Sequence, residues 1–310
     1  MRASRTDAAK RATCTVDSVA SAADLSDCTD VVITAFTAAS GATVTMTGDI
    51  TFASTTASCP LITFDMDEIL FNGGDHNING NGALYWDGEG TDGGKTKPHP
   101  FVKFKGFGTF EFVTVLNSPT QAISVGTTAT TVIPDITVDD CKDSIMLLCD
   151  FLDIFSRTAA VLQTLTVSSC TVNNQDDCVA INSGTAIVIE DMACIESHGI
   201  SIGSIASDHS VSNVKIARNT ITGGLYGLRI KVHNTSATRN DGTPGTSAPI
   251  SGISFSGGTT AVSVGSDVYT LVVDCGACSG TWNFADLDAT GGKAISSLPM
   301  RLWYISGGTY

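Results

Sequence analysis

Short apolar runs separated by turn-forming residues recur along most of the chain. The runs are three or four residues long and rich in Val, Ile and Leu, and Gly, Asn, Asp and Ser separate them. They include residues 61–64, 123–125, 165–167, 179–181, 200–202 and 228–230. Runs of this length and composition predict short β-strands joined by tight turns. Amphipathic helical patterns are scarce, and the clearest one, at 19–25, predicts a short N-terminal capping helix.

The apolar runs also repeat at nearly regular intervals in the middle of the chain. The segment 180–182 (Ala-Ile-Asn) recurs at 201–203 after 21 residues and at 229–231 after another 28. Segments 187–189 and 214–216 are 27 residues apart. Such repeats are typical of a parallel β-helix, whose coils bury their inward side chains by stacking. A sandwich or barrel would show regular hairpin turns instead. We therefore expect an all-β, right-handed parallel β-helix.

No linker divides the chain, so we expect one domain from residue 12 to residue 310. Residues 1–11 lack the hydrophobic stretch of a complete signal peptide and end in the dibasic pair Lys10-Arg11. This segment has two interpretations: a solvated tail, or the remainder of a propeptide that is cleaved to leave Ala12 first. We favour the propeptide, because the rest of the chain is rich in cysteine.

The chain contains ten cysteines, an even number that favours disulfide bonds and an oxidising compartment. Two candidate pairs are close in sequence, Cys14 with Cys28 and Cys275 with Cys278, although spacing alone does not determine how cysteines pair. Cys275 and Cys278 also have the spacing of a metal half-site, but we favour a disulfide there. Asn234 begins an Asn-Thr-Ser sequon, a glycan site in a secreted protein. We expect a secreted, extracellular glycoprotein.

Charge and hydropathy exclude several classes of partner. The formal net charge is −14, which argues against binding to nucleic acid, whose phosphates require a basic surface. No run of eighteen apolar residues is present, so we expect no membrane partner. A polyanionic substrate would therefore need a local cationic patch that overrides the global charge.

The stretch 173–184 carries the strongest chemical signal. Asp176 and Asp177 follow two polar amides, Asn174 and Gln175, and precede an apolar strand. Adjacent aspartates are most often a solvated turn or a calcium-ligand pair, but this pair is held at the edge of a strand. Crowded carboxylates have pKa values that move apart, so one can act as an acid and the other as a base.

Two further coils add groups of the opposite charge. His198 lies one repeat beyond the aspartates, between small residues, and could tune their protonation. In the next repeat, strand alternation directs Ile230 to one face and both Arg229 and Lys231 to the other. Strands about 4.8 Å apart bring three such rows within roughly 10 Å. Arg229 and Lys231 therefore form the expected cationic patch, suited to the carboxylate of an acidic sugar.

Three motifs occur in a fixed order along the chain: Gln-Asp-Asp-Cys at 175–178, Ser-His-Gly-Ile-Ser-Ile-Gly-Ser at 197–204 and Arg-Ile-Lys at 229–231. In this order they resemble the motifs of the fungal polygalacturonases of glycoside hydrolase family 28. Flanking segments extend the resemblance over nearly the whole chain from residue 12. They are 82–88, 97–101, 116–119, 275–280 and 290–293. The resemblance implies endo-acting, inverting hydrolysis of α-1,4-galacturonosyl linkages in polygalacturonic acid, the backbone of pectin.

The resemblance also implies a role for each matching residue. Asp176 corresponds to the general acid, and Asp177 to an aspartate that activates water. His198 corresponds to the histidine that keeps the acid protonated, while Arg229 and Lys231 bind the substrate carboxylate. An inverting acid and base stand roughly 6.5–9.5 Å apart, which Asp176 and Asp177 meet only if their side chains diverge.

The remaining expectations concern the substrate and the assembly. We assign Gln175 and Asn174 to substrate binding, since they lie in the same polar turn. Polygalacturonate is the only partner that we expect. We expect a monomer without a metal or other cofactor.

The sequence departs from the family in two places that bear on activity. The family's Asn-Thr-Asp-Gly motif, with its third catalytic aspartate, is absent. Two residues are candidates for this third aspartate. Asp150 agrees better with the residues around the family's aspartate, whereas Asp153 agrees better with its distance along the sequence from Asp176. We favour Asp150. After Lys231 a coil that carries a tyrosine of the substrate subsite is missing; Tyr226 precedes Arg-Ile-Lys and does not replace it.

These departures leave alternatives open. A catalytically impaired, pectin-binding paralogue would also lack a base and a subsite tyrosine. A rhamnogalacturonan hydrolase belongs to the same family, although Arg229 and Lys231 favour galacturonate. A calcium-dependent pectate lyase shares the fold, but paired aspartates, a histidine and Arg-x-Lys fit acid–base hydrolysis better.

Overall fold

The computed structural model describes most of the chain from residue 40 onward. The described residues are 13–16, 30–33, 40–56, 58, 60–89, 94–127, 129–140, 152–155, 164–205, 209–232, 248–275, 278–293, 296–297 and 305–309. The expected capping helix at 19–25, the dibasic pair Lys10-Arg11, Asp150 and the sequon at Asn234 lie outside them.

Short β-strands make up nearly all of the regular structure. In chain order they are β1 Thr13–Val16, β2 Asp30–Ile33, β3 Thr43–Thr45, β4 Ile50–Thr51, β5 Ile62–Phe64, β6 Ile69–Asn79, β7 Val102–Phe104, β8 Gly108–Leu116, β9 Ile123–Val125, β10 Thr131–Pro134, β11 Ile136–Asp139, β12 Leu152–Phe155, β13 Leu165–Ser168, β14 Thr171–Asn173, β15 Val179–Glu190, β16 Ala193–Ile195, β17 Ile200–Ile205, β18 Val211–Ala217, β19 Thr220–Thr222, β20 Tyr226–Val232, β21 Ile250–Phe255, β22 Thr260–Asp274, β23 Cys278–Ser279, β24 Trp282–Asn283, β25 Leu287–Lys293, β26 Ser296–Ser297 and β27 Ile305–Ser306. Within the described ranges, one 3-10 helix, Gly82–Leu84, interrupts them.

The strands from β3 onward stack in three columns, and every pairing among the described strands is parallel. The first column contains β3, the start of β6, β8, β10, β13, the end of β15, β18, β21, β23 with β24, and β27. The second contains β4, the end of β6, β8, β11, β14, β16, β19, the start of β22 and β25. The third contains β5, β7, β9, β12, the start of β15, β17, β20, the end of β22 and β26. The predicted right-handed parallel β-helix is therefore confirmed, with the handedness usual for parallel crossovers.

The register of the third column confirms the predicted repeats. Ala180 pairs with Ser201, and Ser201 pairs with Arg229. In the first column Ile187 pairs with Val214. Residues that share a position in the repeat thus stand one above another along the helix axis, so functional groups far apart in sequence form continuous rows.

The core lies inside the coils and is filled by the inward side of each strand. Phe64 contacts Phe71, Phe104 and Phe110, with ring centroids 4.7, 5.1 and 5.4 Å apart. Each buried apolar side chain of this size contributes about 1.5–3 kcal/mol. Within the described residues the structure contains no helix with the length and hydropathy of a membrane span.

Two disulfides are present among the described residues. Cys178 bonds to Cys194, and Cys275 bonds to Cys278, which confirms the favoured disulfide at that pair. Cys170 is buried and carries a free thiol, so not every cysteine is paired. The expected partner of Cys14, Cys28, lies outside the described residues.

Candidate active site

The predicted aspartates lie at the corner where the second column passes into the third. Asp176 and Asp177 are both buried in the turn between β14 and β15. The Asp177 N–H donates to Oδ1 of Asp176 at 2.7 Å, and Nδ2 of Asn174 donates to the Asp177 carbonyl at 3.0 Å. The next residue, Cys178, is tied by its disulfide to Cys194 in β16. The pair is therefore held rigidly, and is not part of a solvated loop.

The turn of the following coil is bonded directly to this one and presents the histidine. The N–H of His198 donates to the Asp176 carbonyl at 2.7 Å, and the Cys178 N–H donates to the Gly199 carbonyl at 2.8 Å. Gly199 has a φ of +72°, and a Cβ there would stand 1.8 Å from the Gly227 carbonyl oxygen. Only glycine fits this turn, and the turn directs His198 toward Asp176.

His198 and Asp176 form a close pair across the two coils. Nδ1 of His198 lies 2.9 Å from Oδ1 of Asp176. Burial raises the pKa of the Asp176 carboxyl, but the hydrogen bond and charge of His198, the Asp177 N–H and the charge of Arg229 together lower that pKa below its ordinary value. This geometry therefore favours the carboxylate form of Asp176.

Asp177 is surrounded by the cationic patch that the sequence predicts. Nζ of Lys231 lies 3.3 Å from Oδ2 of Asp177, and Nη2 of Arg229 donates to Oδ1. Ile230 between them is buried, which confirms the predicted alternation along β20. Two positive side chains thus contact one buried carboxylate. The surroundings of Asp177 are therefore positively charged, although the net charge of the whole protein is −14.

Two residues that sequence reasoning did not assign complete the network. Ser201 is fully buried, donates from Oγ to Oδ1 of Asp177 at 2.5 Å and accepts from Nε of Arg229 at 3.2 Å. The Tyr226 ring lies 4.6 Å from the Arg229 guanidinium carbon and 5.7 Å from the His198 ring. Strand alternation could have identified Ser201, because it occupies the same row as Arg229.

The two carboxylates do not diverge as expected. One oxygen of Asp176 lies within 4.8 Å of one oxygen of Asp177, closer than the roughly 6.5–9.5 Å of an inverting acid and base. The reason is that Arg229 approaches both, at 4.0 Å from Oδ1 of Asp176 and in contact with Asp177. A single cation draws the side chains together.

Asp176, Asp177 and His198 are close enough to offer three ligand atoms to a metal ion. Both oxygens of Asp177 already accept hydrogen bonds from cationic side chains, Arg229 and Lys231. A divalent ion would have to approach against these two positive charges, which disfavours its binding. The arrangement suits proton transfer and anion binding better than metal binding.

The other predicted residues are placed as follows. Gln175 is half-buried in the turn, whereas Asn174 is buried beneath it. Asp150 lies outside the described residues. The backbone of Asp153, in β12, pairs in register with Ala180 of β15, so β12 runs one coil below the start of β15.

Comparisons with known proteins agree with this geometry. The family model described as Glycosyl hydrolases family 28 matches residues 15–242. An endo-polygalacturonase of Sclerotinia sclerotiorum is 35% identical over 318 aligned positions, which cover 86% of this chain and 80% of that protein. Endopolygalacturonase I of Aspergillus niger is 33% identical and covers 92% of this chain and 89% of its own length. The solved structure of endopolygalacturonase I from Stereum purpureum, complexed with two galacturonate molecules, superposes with a TM-score of 0.78 at 41% identity, over 96% of this chain and 100% of that one.

Proposed function

The chain belongs to the glycosyl hydrolases of family 28, and from that premise we propose that it hydrolyses the α-1,4-galacturonosyl linkages of polygalacturonic acid, in endo fashion. The observation that carries the proposal is a single contiguous network. In this network the buried carboxyl of Asp176 contacts His198. The neighbouring carboxylate, Asp177, contacts the two cations Arg229 and Lys231.

Asp176 is the general acid in this proposal. The positive charge of Arg229 is one of the influences, after those of His198 and the Asp177 N–H, that lower the pKa of Asp176, and Arg229 would also bind a galacturonate carboxylate. When that carboxylate takes up the charge of Arg229, the effect of Arg229 on Asp176 weakens and the pKa of Asp176 rises. The protonated Asp176 then donates its proton to the glycosidic oxygen. Substrate binding thereby prepares the acid.

Asp177 activates the attacking water together with Asp150. The support for Asp150 comes from its position in the sequence. Asp153 pairs with Ala180. Asp150 precedes Asp153 by three residues, and Asp177 precedes Ala180 by the same number, so the two aspartates occupy equivalent positions in sequence. We infer inversion, with Asp176 as the acid and with Asp177 and Asp150 as the base that activates water.

Arg229 and Lys231 fix the acidic sugar at the site. The planar guanidinium suits bidentate binding of a carboxylate, and the flexible ammonium adds a point charge. Gln175 has the exposure needed to reach a sugar hydroxyl. Asn174 is buried and bonded to Asp177, so it supports the turn from beneath. No metal or other cofactor is required.

We further propose that the protein is secreted and acts as a single copy. Its disulfides, Cys178–Cys194 and Cys275–Cys278, are bonds that persist in oxidising, extracellular surroundings.

Release of reducing ends from polygalacturonate at mildly acidic pH tests the function. We expect release by the wild-type protein, and about a hundredfold less by Asp176→Asn, which cannot donate the proton. Insensitivity to a chelator and the absence of unsaturated products would separate hydrolysis from a lyase. Binding of polygalacturonate without any release would instead identify an impaired, pectin-binding paralogue.

A further inference from the structure

A row of buried polar residues leads up to the turn 174–177, which carries Asp176 and Asp177 and is called the aspartate turn below. Leu116 of β8 pairs in register with Asp139 of β11, and Asp139 pairs with Asn173 of β14. The chain leaves the second column just after each of these positions. The first buried polar residues beyond them are Ser118, Asp140 and Asn174, one on each of three successive coils.

Hydrogen bonds join this row from coil to coil, and Asp140 is the residue in the middle. Oδ1 of Asp140 accepts the Ser118 N–H at 2.7 Å, and the Asp140 N–H donates to the Asn173 carbonyl at 3.0 Å. Nδ2 of Asn174 then donates to the Asp177 carbonyl at 3.0 Å. Asp140 thus bonds to the coil below through its side chain. Through its backbone it bonds to the coil above, directly before the aspartate turn.

Ser118 is a firm anchor for Asp140, because its carbonyl is bonded from the other side. Nε1 of Trp86 donates to the Ser118 carbonyl at 3.1 Å. Trp86 follows the 3-10 helix Gly82–Leu84, and a Cβ on Gly82 would stand 2.6 Å from both the Ser118 carbonyl oxygen and the Trp86 ring. These groups are therefore closely packed, and the bond from the Ser118 N–H holds the Asp140 side chain at a defined position.

The Asp140 side chain extends the bonding between coils beyond the end of the paired strands. The Asn117 N–H still donates to a backbone carbonyl, that of Asp139, at 3.3 Å. The acceptor of the next N–H, that of Ser118, is a carboxyl oxygen instead. A buried N–H is costly to leave without an acceptor, so this corner requires the Asp140 side chain. Burial raises the pKa of the carboxyl to about 7, so at mildly acidic pH the group is neutral and an amide can replace it.

We propose that Asp140 is a positioning residue that holds the aspartate turn in place for the reaction. The proposal rests on the function given above, and Asp140 itself touches no substrate. Without its carboxyl, the backbone of Asp140 loses its anchor at Ser118, and the Asn173 carbonyl that it bonds can move. Asn173 leads directly into the turn, so its displacement shifts both carboxylates relative to His198. Misplacement of reacting groups by about 1 Å can lower a rate by about a hundredfold.

Steady-state kinetics of Asp140→Ala on polygalacturonate test this role. We expect kcat to fall by about tenfold to a hundredfold, while KM stays within about twofold of the wild-type value. KM is preserved because Arg229 and Lys231, which bind the substrate carboxylate, lie in β20, two coils above the aspartate turn. Asp140→Asn, whose amide oxygen can accept the Ser118 N–H, should restore kcat to nearly the wild-type value. A loss of kcat that Asp140→Asn does not restore would contradict the proposal.

Asp49→Ala is the matched control. Oδ1 of Asp49 also accepts a backbone N–H from a neighbouring coil, that of Asn77 at 2.9 Å, but it lies beside β4, far from the aspartate turn. We expect it to change neither kcat nor KM. If Asp140→Ala does not fold, Asp140→Ser, which keeps a hydroxyl in the buried position, takes its place, with the same direction and a smaller fall in kcat.

A double-mutant cycle with Asn174→Ala identifies the route of the effect. Asn174 holds the Asp177 carbonyl, so both residues should act through the same turn. The double variant should then lose little more kcat than the more damaging single variant. Losses that multiply would show that the two residues act independently, and would overturn the proposal.

Amide hydrogen exchange separates this inference from the proposed function, because it requires no activity. In Asp140→Ala exchange should quicken in the segment 173–178 and keep wild-type rates in the other coils. If the wild-type protein releases reducing ends but Asp140→Ala leaves kcat and exchange unchanged, the positioning role is wrong and the function stands. If the wild-type protein releases none while exchange at 173–178 quickens in Asp140→Ala and not in Asp140→Asn, the function fails and the role of Asp140 in holding the turn stands. Faster exchange throughout the β-helix would show a general loss of stability and would overturn that role.

Discussion

Nδ1 of His198 lies 2.9 Å from Oδ1 of Asp176, although the two residues belong to different coils. The contact depends on two backbone hydrogen bonds between their turns, through the Asp176 and Gly199 carbonyls. Because the turns are joined in this way, the stacking of the coils places the backbone of the histidine next to that of the acid. The position of the histidine beside the acid therefore depends on the stability of the fold at this corner.

Substitution of His198 should move the pH profile toward higher pH. His198 is the main group that lowers the pKa of Asp176 against burial, which raises it. In His198→Gln the Asp176 pKa should rise, so the acid stays protonated to a higher pH. The alkaline limb of the kcat/KM profile, which reports pKa values of the free enzyme, should shift to higher pH. The maximum value of kcat/KM should fall by about 10- to 100-fold. A profile of kcat/KM against pH measures both effects, and an unchanged limb would contradict the pairing.

Removal of the Ser201 hydroxyl should lower both activity and stability. Ser201 is fully buried and bonded to Asp177 and Arg229, so Ser201→Ala leaves two charged groups less well satisfied. We expect a loss of about 1–3 kcal/mol in the free energy of unfolding and about a tenfold fall in kcat/KM. Urea denaturation and kinetics measure these. Ser212→Ala removes a hydroxyl bonded to Thr185 in the first column and should leave kcat/KM unchanged.

The fold and the rows of the site could be predicted from sequence because both follow from local patterns. The spacing of 180–182, 201–203 and 229–231 determines which residues stack, and alternation places Arg229 and Lys231 on one face. These features need only the period of a strand and the length of a repeat.

The distances within the site could not be predicted in the same way. The convergence of Asp176 and Asp177 depends on where Arg229, more than 50 residues later, directs its guanidinium. The parts played by Ser201 and Tyr226 likewise depend on contacts between coils. Such contacts are set by side-chain packing in three dimensions, which periodicity along one chain does not encode.

Substitution of the two candidate aspartates in turn should identify the second water-activating carboxylate. We expect Asp150→Asn to lower kcat by about a hundredfold and Asp153→Asn to lower it much less. NMR of the first product should show inversion at the anomeric carbon in the wild-type protein. If Asp153→Asn proves the more damaging, or if the product retains its configuration, the assignment of Asp150 and the inverting mechanism is wrong.

Loss of the Cys178–Cys194 disulfide should affect the site as well as the fold. The bond closes a segment of 16 residues and adjoins Asp177. Closure of a loop of this length is worth about 3 kcal/mol. In the double substitution Cys178→Ala, Cys194→Ala we expect a loss of that order in the free energy of unfolding, measured in urea, together with lower kcat. The double substitution of Cys275 and Cys278, whose bond spans only 3 positions, should leave kcat unchanged.

Asp140 should make the protein less stable as the pH rises from about 4 to about 7. Its carboxyl is buried, and burial raises its pKa to about 7, against hydrogen bonds from Ser118. The folded protein therefore binds a proton that the unfolded chain has lost above about pH 4. Stability that depends on this proton is fully present below pH 4 and is lost as the pH passes through 7. In Asp140→Asn the amide oxygen can still accept the Ser118 N–H, which donates to Oδ1 of Asp140 at 2.7 Å.

We therefore expect Asp140→Asn to remove this pH dependence and to raise the free energy of unfolding at neutral pH by a few kcal/mol, on the order given by the pKa shift. Urea denaturation across pH 4 to 8 measures it. Asp65→Asn removes an exposed carboxylate paired with Lys105 and should leave the pH dependence as in the wild-type protein. The Asp140 N–H donates to the Asn173 carbonyl at 3.0 Å, and Asp140→Asn keeps this backbone bond, so kcat at the pH optimum should change little. Parallel pH dependence in Asp140→Asn and the wild-type protein would show that the Asp140 carboxyl is already ionised in the folded state.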